Sequence, residues 1–159
     1  MKRFHVHLHV DDIERSVRFY TTLFGVKPTK HKPDYAKWML DDPRVNFAIS
    51  KVEDHVGLSH LGLQVDDEEA LKEVSEHARD ASGEILVERR VHCGYAIGNK
   101  TWVNDPQAVR WENFHTYNDD MKTFGCGAEE AWRENKTGKR MGLGTSCSMK
   151  TDTRENTQR

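Results

Sequence analysis

The stretch HVHLHVDD, residues 5–12, decides the fold, because HLGLQVDD at residues 60–67 repeats its pattern. Both stretches read His-x-x-Leu-x-Val-Asp-Asp, and they begin 55 residues apart. In the first, apolar side chains alternate with histidines, a period of two that indicates a β-strand with one apolar face. The aspartate pair that ends each copy offers an N-cap to a following helix. The repeat therefore predicts two structural units of one kind.

The residues after each copy predict the same order of elements twice. Apolar residues at helical spacing follow each aspartate pair, and the two predicted helices end at Gly25 and Gly83, a residue type typical of helix C-caps. Strand-like runs follow the first helix near 27–30 and at 35–40 and 45–50, and the second at 84–91, 95–103 and 109–117. We therefore predict an α+β fold of two βαβββ modules, residues 1–55 and 56–120, that curve around a shared cleft as one domain. A solenoid would need more copies of the unit.

The composition narrows the classes of partner. A formal net charge of −2 leaves no basic surplus for a nucleic-acid backbone, and no apolar run approaches the length of a membrane span. The N-terminus has no signal-peptide pattern, and three cysteines without framework spacing are typical of the reducing cytosol. We therefore expect a cytoplasmic monomer or homodimer that acts on a small molecule, with no nucleic-acid or membrane partner.

The end of the chain differs in composition from the rest. From residue 135 to residue 159 it has no aromatic residue and few large apolar ones. Such a segment buries too little apolar surface to offset the entropy lost on ordering it. The sequence therefore predicts a C-terminal extension over 121–159 that is largely a flexible tail.

The histidine that leads each copy needs its own explanation, because it lies on the strand face opposite the leucine. If the two modules curve toward each other, His5 and His60 converge in the cleft. Glu112 comes from the last predicted strand, in a segment otherwise suited to burial, where an unpaired carboxylate would be costly. Two imidazoles and a carboxylate are good ligands for divalent Fe, Zn, Mn or Ni. A strand histidine is more often simply hydrogen-bonded, but the matching offset in both copies favours a metal site of His5, His60 and Glu112.

Two further residues are expected around this site. His7 shares the face of His5 and is predicted to lie beside the ligands, and Asn46 is expected to mirror Glu112 in module one. A neutral amide is a weak metal ligand, so Asn46 is predicted to face the cleft without binding the ion. Two histidines and one carboxylate with open positions are typical of non-haem Fe(II) and oxygen chemistry, and zinc with a bound water is the alternative.

The same residues resemble a known family. The pattern His-x-x-Leu-x-Val-x-Asp, the helix with FYTTLFG and the later SHLGLQVDD resemble the vicinal oxygen chelate superfamily, which includes glyoxalase I, extradiol dioxygenases, and fosfomycin-resistance and bleomycin-binding proteins. Within it, KPDYAKWMLDDPRVNFAIS (32–50) and CGYAIGNKTWVNDPQAVRWENF (93–114) are similar to the branch of organoarsenical carbon–arsenic lyases and cadmium-induced proteins. The resemblance runs from His5 to Tyr117.

This resemblance implies paired βαβββ modules and a divalent metal at His5, His60 and Glu112. In the lyase branch the metal is Fe(II), and dioxygen is consumed while a trivalent methyl or aryl arsenical loses its organic group. The arsenical is held there by two adjacent cysteines just before the YA motif. Here Cys93 and Gly94 stand at those positions, so one thiol is present and the second is absent.

Cys93 is therefore expected to be the catalytic thiol that holds the substrate. Cys126 and Cys147 are candidates for a second thiol, against the alternative that each is an ordinary spare cysteine. His92 and Tyr95 flank the cysteine position and are expected to lie around the metal or the substrate.

Three functions stay open at this point. The first is an Fe(II)-dependent, dioxygen-using lyase that detoxifies trivalent organoarsenicals and so gives arsenic resistance. The second is another metal-dependent reaction of the superfamily, a dioxygenase, glyoxalase or thiol transferase, although Asn46 disfavours the four-donor glyoxalase site. The third is a drug or soft-metal binding protein without catalysis. The intact ligand set favours an enzyme, and three scattered cysteines offer few thiols for a soft-metal store.

Overall fold

The computed structural model describes residues 1–52, 55–123 and 125–142. Its helices are α1 (Ile13–Phe24) and α2 (Glu68–Ser82). Its strands are β1 (Lys2–Val10), β2 (Lys30–Lys32), β3 (Tyr35–Asp41), β4 (Arg44–Lys51), β5 (Gly57–Val65), β6 (Glu84–Gly94), β7 (Ala96–Asn104), β8 (Arg110–Asn118), β9 (Gly125–Gly127), β10 (Glu130–Asn135) and β11 (Arg140–Gly142). The order β1-α1-β2-β3-β4 recurs as β5-α2-β6-β7-β8, so the predicted α+β fold of two βαβββ units is confirmed.

The helix ends follow from the repeated residues. The Asp12 carboxylate accepts a hydrogen bond from the main-chain N–H of Arg15, and Asp67 accepts one from Ala70 in the same way. Each bond satisfies one of the N–H groups that a helix start leaves without a partner. Gly25 and Gly83 end the helices at φ of +69° and +88°, a left-handed conformation that favours glycine.

One curved sheet carries both modules, in the order β2-β3-β4-β1-β5-β8-β7-β6. The central pair, β1 and β5, is antiparallel, while β1 pairs with β4 and β5 pairs with β8 in parallel. A pseudo-twofold axis therefore passes between β1 and β5, the two strands with the repeated pattern. Across this pair His7 lies opposite His60, and His5 lies opposite Gly62. The sequence repeat thus brings its histidines to the middle of the sheet.

The outer face of each half of the sheet packs against its own helix. In module one, Ile13 and Val17 of α1 belong to a buried cluster with Trp38, Phe47 and Ile49. In module two, the buried cluster is smaller and consists of Val65, Leu71 and Val74. Both helices cover the side of the sheet that carries the repeated leucines and valines, which leaves the histidine side for a cleft.

The prediction of a flexible tail is wrong for residues 125–142. β9 and β10 pair with β6, and β11 pairs with β10. Composition alone missed these strands because their stability comes from the open edge of β6, whose main-chain groups need partners. Arg79 of α2 adds an ion pair to Glu134 of β10 at 2.7 Å. The rest of the predicted tail, residues 143–159 with Cys147, lies outside the described residues.

Neither helix of the described residues is both long enough and apolar enough to cross a bilayer.

Candidate metal centre

The two leading histidines present the same ring nitrogen to the same point. His5 is buried, and its Nδ1 lies 3.0 Å from the main-chain oxygen of Asn46 on β4. Because a carbonyl oxygen only accepts, Nδ1 of His5 carries the proton and Nε2 is left with a lone pair. His60 Nδ1 lies 3.0 Å from the Ser59 hydroxyl, and its Nε2 lies 3.2 Å from Nε2 of His5. Both imidazoles are thus oriented as metal ligands require.

Glu112 completes a triangle of donor atoms. Its Oε2 lies 3.6 Å from His5 Nε2 and 3.3 Å from His60 Nε2. Ligand atoms that each lie about 2.1 Å from a common ion, the usual range for nitrogen and oxygen donors, are about 3.0–3.4 Å from one another. Two of the three distances fall in this range and the third, from His5 Nε2 to Glu112 Oε2, is 0.2 Å longer, so the triangle could close around a single cation with a small shift. They also arise within one chain, so the cleft needs no second subunit to bring these residues together.

Lys100 holds the carboxylate in place. Its Nζ lies 2.5 Å from Glu112 Oε1, and both side chains are buried. Burial alone would raise the pKa of Glu112, but the Lys100 ammonium and the neighbouring imidazoles hold it well below its usual range. Burial alone would lower the pKa of Lys100, but Cys93 and Glu112 raise it above its usual value. One carboxylate oxygen is therefore fixed by the lysine, while the other faces the histidines as an anion.

Burial also sets the charge of the imidazoles on β1. Burial lowers the pKa of His5 to about 4, with smaller and opposed effects from Glu112 and His60. Burial lowers the pKa of His7 well below its usual value, and His60 and His5 lower it further. Both rings are therefore neutral at pH 7, the state in which imidazole binds a metal.

His7 was predicted to lie beside the metal ligands. In the structure it is close enough to His5 and His60 to be a possible ligand itself. The ligand nitrogens of His5, His7 and His60 all lie within 4.8 Å of one another, so three imidazoles also form a possible metal-binding group. His7 Nε2 is 2.8 Å from the Ser50 hydroxyl. This hydrogen bond occupies the nitrogen that would otherwise turn to the ion, whereas Oε2 of Glu112 already faces both other histidines. The geometry therefore favours Glu112 over His7 as the third donor.

The expectation that Asn46 mirrors Glu112 is wrong. His5 and His60 are equivalent, so His7 is equivalent to Gly62 two residues later. In the ladders, His7 pairs with Ala48 and Gly62 pairs with Glu112. Ala48 therefore mirrors Glu112, two residues after Asn46. The pairing of β4 with β1 decides which residues are equivalent, and the position of β4 in the sequence does not. The mirrored position offers no donor atom at all.

Asn46 has a different place in the site. Its main-chain oxygen accepts the His5 hydrogen bond described above, and its side-chain Nδ2 donates to Gln64 Oε1 at 2.8 Å. Its Oδ1 is buried with no hydrogen-bond partner among the described residues. Asn46 lines the cleft, and what this oxygen contacts when a ligand is bound stays a prediction.

A cavity of about 270 Å³ joins the metal donors to the predicted thiol. His5, His60 and Glu112 line it, and Cys93 lies at its exposed side near the end of β6. Gly94, also on its wall, has φ of +59°, which favours glycine. A second cysteine at this position would be strained.

The two residues predicted to flank the thiol make their hydrogen bonds elsewhere. His92 Nε2 lies 3.1 Å from the main-chain oxygen of Thr123, next to β9. The Tyr95 hydroxyl donates to Asp34 at 2.8 Å. Their roles toward metal or substrate therefore stay predictions.

Sequence reasoning missed several charged and polar residues of the cavity. Lys100 and Trp102 in NKTWV are two residues apart, so strand parity places them on the same face of the strand. Lys37 on β3 pairs with Asp119 at 2.6 Å, and burial lowers the pKa of Lys37 even beside that carboxylate. The partners are 82 residues apart, and no sequence pattern connects them. Tyr35 also lines the cavity, and burial, with Asp119 and Cys93 nearby, raises its pKa, so the phenol keeps its proton.

Comparisons with known proteins agree with this geometry. Residues 2–113 match the Glyoxalase/Bleomycin resistance protein/Dioxygenase superfamily. A protein of Bacillus sp. (strain MD1), named trivalent organoarsenical cleaving enzyme, is 40% identical over 121 residues, which are 73% of this chain and 74% of that protein. The cadmium-induced protein CadI of Mycobacterium tuberculosis (strain ATCC 25618 / H37Rv) is 34% identical over 130 residues, 80% of this chain and 84% of that protein.

Solved structures resemble the fold at low sequence identity. The Mn(II)-bound glyoxalase from Novosphingobium aromaticivorans has a TM-score of 0.54 at 17% identity, over 77% of this chain and 42% of that chain. A Streptomyces coelicolor methylmalonyl-CoA epimerase has a TM-score of 0.51 at 13% identity, over 71% of this chain and 95% of that one. At these identities the likeness concerns the fold alone.

Proposed function

The chain belongs to the Glyoxalase/Bleomycin resistance protein/Dioxygenase superfamily, and from this we propose that it is a metal-dependent lyase that cleaves the carbon–arsenic bond of trivalent organoarsenicals. Relatives 32–40% identical to it are named trivalent organoarsenical cleaving enzymes. The observation that carries the proposal is that one cavity holds both the donor triangle and the Cys93 thiol. A soft thiol beside a hard divalent site suits a substrate with a soft arsenic atom and a reaction at an adjacent bond.

The residues of the cavity divide this work. His5, His60 and Glu112 would hold the metal, which we propose to be Fe(II) and which, when bound, would supply open coordination positions for dioxygen. Cys93 would bind arsenic through its thiolate and so hold the carbon–arsenic bond at a fixed place beside the ligands. Lys100 would keep Glu112 ionised and correctly oriented.

The walls of the cavity suit a small organic group. Phe114 packs edge-on against His5 with ring centroids 5.1 Å apart, and Trp102 packs against His60 at the same separation. The guanidinium carbon of Arg110 lies 3.7 Å from the centre of the Trp102 ring. These rings offer an apolar surface for a methyl or phenyl substituent next to the polar donors.

The proposal is tested on the full chain loaded with Fe(II) without oxygen. Methylarsenite or phenylarsenite is added, air is admitted, and inorganic arsenite release and oxygen uptake are measured. We expect both with the native chain and with Cys147→Ser, the matched cysteine control. Cys93→Ser should lose turnover and keep its iron. If no arsenite is released, or if Cys93→Ser releases it at the native rate, the proposal is wrong.

A second candidate follows from the missing adjacent thiol. With Gly94 in place of a cysteine, the same metal site would serve another reaction of the superfamily on a substrate without arsenic. The three imidazoles of His5, His7 and His60 would favour zinc or nickel over iron in that case. Metal analysis of protein purified without added metal separates the two: iron supports the lyase, and zinc or nickel supports the alternative.

A further inference from the structure

The strand β6 contains a β-bulge just before the end that carries the predicted thiol. Between Glu88 and Val91 the register of β6 against β7 shifts by one residue. Arg89 and Arg90 therefore stand opposite Asn99 alone, two residues against one. A bulge re-aims the side chains that follow it along the strand.

This bulge decides which side chain of the neighbouring pair His92 and Cys93 faces the cavity. Opposed residues of an antiparallel ladder share a face, and Cys93 lies opposite Ala96, which lines the cavity together with it. His92 Nε2 lies 3.1 Å from the main-chain oxygen of Thr123 instead. If the register at Glu88 continued without a shift, Ala96 would lie opposite His92. An imidazole, and not a thiol, would then face the metal donors.

The side chain of Asn99 holds the bulge in place. Arg90 has φ of +49°, a left-handed conformation that is uncommon for a residue with a side chain. Its main-chain N–H donates to Asn99 Oδ1 at 2.8 Å, which gives a partner to a group that the bulge takes out of the ladder. Asn99 Nδ2 donates in turn to Glu68 of α2 at 2.7 Å, and Arg89 donates to the other oxygen of that carboxylate at 3.0 Å. The start of α2 therefore braces the bulge through both strands.

We propose that Asn99 is a positioning residue, which fixes the bulge in β6 and so turns Cys93 toward the metal donors. Asn99 acts on a substrate only through Cys93, because its own side chain points to α2. The inference rests on the proposed function for what Cys93 binds. A thiolate is a softer ligand than an imidazole, so the side chain that the bulge selects decides whether a soft arsenic atom can be held there.

The register of β6 against β7 is measured in the full chain without metal, from cross-strand nuclear Overhauser contacts. In native protein we expect contacts between Cys93 and Ala96. Asn99→Ala should lose most of them and show contacts between His92 and Ala96 instead. Asn104→Ala, at the exposed end of the same strand, is the matched control and should keep the native contacts. Circular dichroism verifies that each variant is folded.

Two further variants test the hydrogen bonds of the bulge. Asn99→Asp combined with Glu68→Gln exchanges donor and acceptor between these side chains and keeps an acceptor for the Arg90 N–H. This pair should restore the native register, and failure to restore it would contradict the inference. Deletion of Arg90 removes the bulge and should bring His92 opposite Ala96, which keeps the test decisive even if Asn99→Ala does not fold.

The outcomes separate this inference from the proposed function. If Asn99→Ala, or the chain without Arg90, keeps Cys93 opposite Ala96, the inference is wrong even if the iron-loaded enzyme cleaves arsenicals. If the register shifts as expected but the native iron-loaded chain releases no arsenite from methylarsenite, the lyase proposal is wrong and the inference stands. If the native chain does release arsenite, kcat/KM of Asn99→Ala should be lower by ~10²-fold, the scale of loss when a reacting group is misplaced. An unchanged kcat/KM would contradict the inference.

Discussion

The two modules share their order of elements but differ in what they bury. In module one, α1 and its strands bury aromatic rings, with Tyr20 and Phe47 centroids 4.5 Å apart and Trp38 fully buried. In module two, the helix side is thinner, and Ser75 of α2 hydrogen bonds to Thr101 of β7 inside it. The cleft side of module two holds buried charges instead, the ion pair of Lys100 with Glu112. One copy of the unit thus provides packing, and the other provides most of the site's charge.

Mirrored positions show how the difference is built. His7 in module one corresponds to Gly62 in module two, where a Cβ would clash with the main-chain oxygen of Glu112. Ala48 corresponds to Glu112, so the carboxylate has a small side chain as its counterpart. The two copies therefore keep the same topology and the same helix caps. They differ in which copy carries a possible metal-donor side chain at each mirrored position.

The largest effect is expected from Lys100→Met. This change leaves the Glu112 carboxylate buried without its cation, which costs about 3–5 kcal/mol of the free energy of unfolding in metal-free protein. Urea denaturation measures it, with Lys72→Met on the exposed face of α2 as the control. Lys100→Met combined with Glu112→Gln should recover much of the loss. A loss below about 1 kcal/mol in the single variant would contradict the ion pair's role in module two.

The next effect concerns pH and the histidines of module one. Burial lowers the pKa of His5 to about 4, so in metal-free protein the folded state stays neutral while the unfolded chain takes up a proton below its ordinary value near 6.5. Stability is therefore full above pH 6.5 and falls between pH 6.5 and about 4, by about 3 kcal/mol from His5, and His7 adds to the fall. Urea midpoints measured across this range, in His5→Gln and in native protein, test it. Equal slopes in both would show that His5 is not the cause.

A third effect compares the leading histidines with His7. His60→Ala should weaken metal binding by more than about 100-fold, because even residues that only orient a ligand change metal affinity by roughly 10–100-fold. His7→Ala should lose less, and the exposed His31→Ala should lose nothing. Metal content after dialysis against a graded chelator gives the affinities. If His7→Ala lost more metal affinity than Glu112→Ala, the ligands would be the imidazoles of His5, His7 and His60, and Glu112 would not be one of them.

The smallest effect should be the same in both modules. Asp12→Ala and Asp67→Ala each remove an N-cap hydrogen bond, at a cost of about 1 kcal/mol in the free energy of unfolding. Thermal or urea denaturation would detect both, and Asp11→Ala serves as the control because its side chain is not the cap. Clearly unequal losses would mean that the two copies no longer share even their helix starts.

The sequence predicts best those features that depend on residues close to one another along the chain. The pattern within each copy predicts the strands of its module, its helix, and the aspartate cap and glycine end of that helix. The repetition of the pattern predicts the meeting of His5 with His60. Glu112 was found because its surroundings favour burial. The Asn46 mirror failed because it depends on the ladder between β1 and β4, and Lys100 was missed because its partner lies on another strand. The strands β9 to β11 were missed because the edge of β6, and not their own composition, stabilises them.

The two edge strands of the sheet affect whether copies of the protein can pair with one another through their main chains. One end is β2, three residues reading Lys-His-Lys, and among the described residues the other is β11, also three residues long. Short strands and lysines at an edge give another chain little to pair with. A chain cut after residue 120 would instead present the eleven residues of β6 as an open edge. The added strands cover most of this edge, and we expect that removing them would favour pairing between copies through β6.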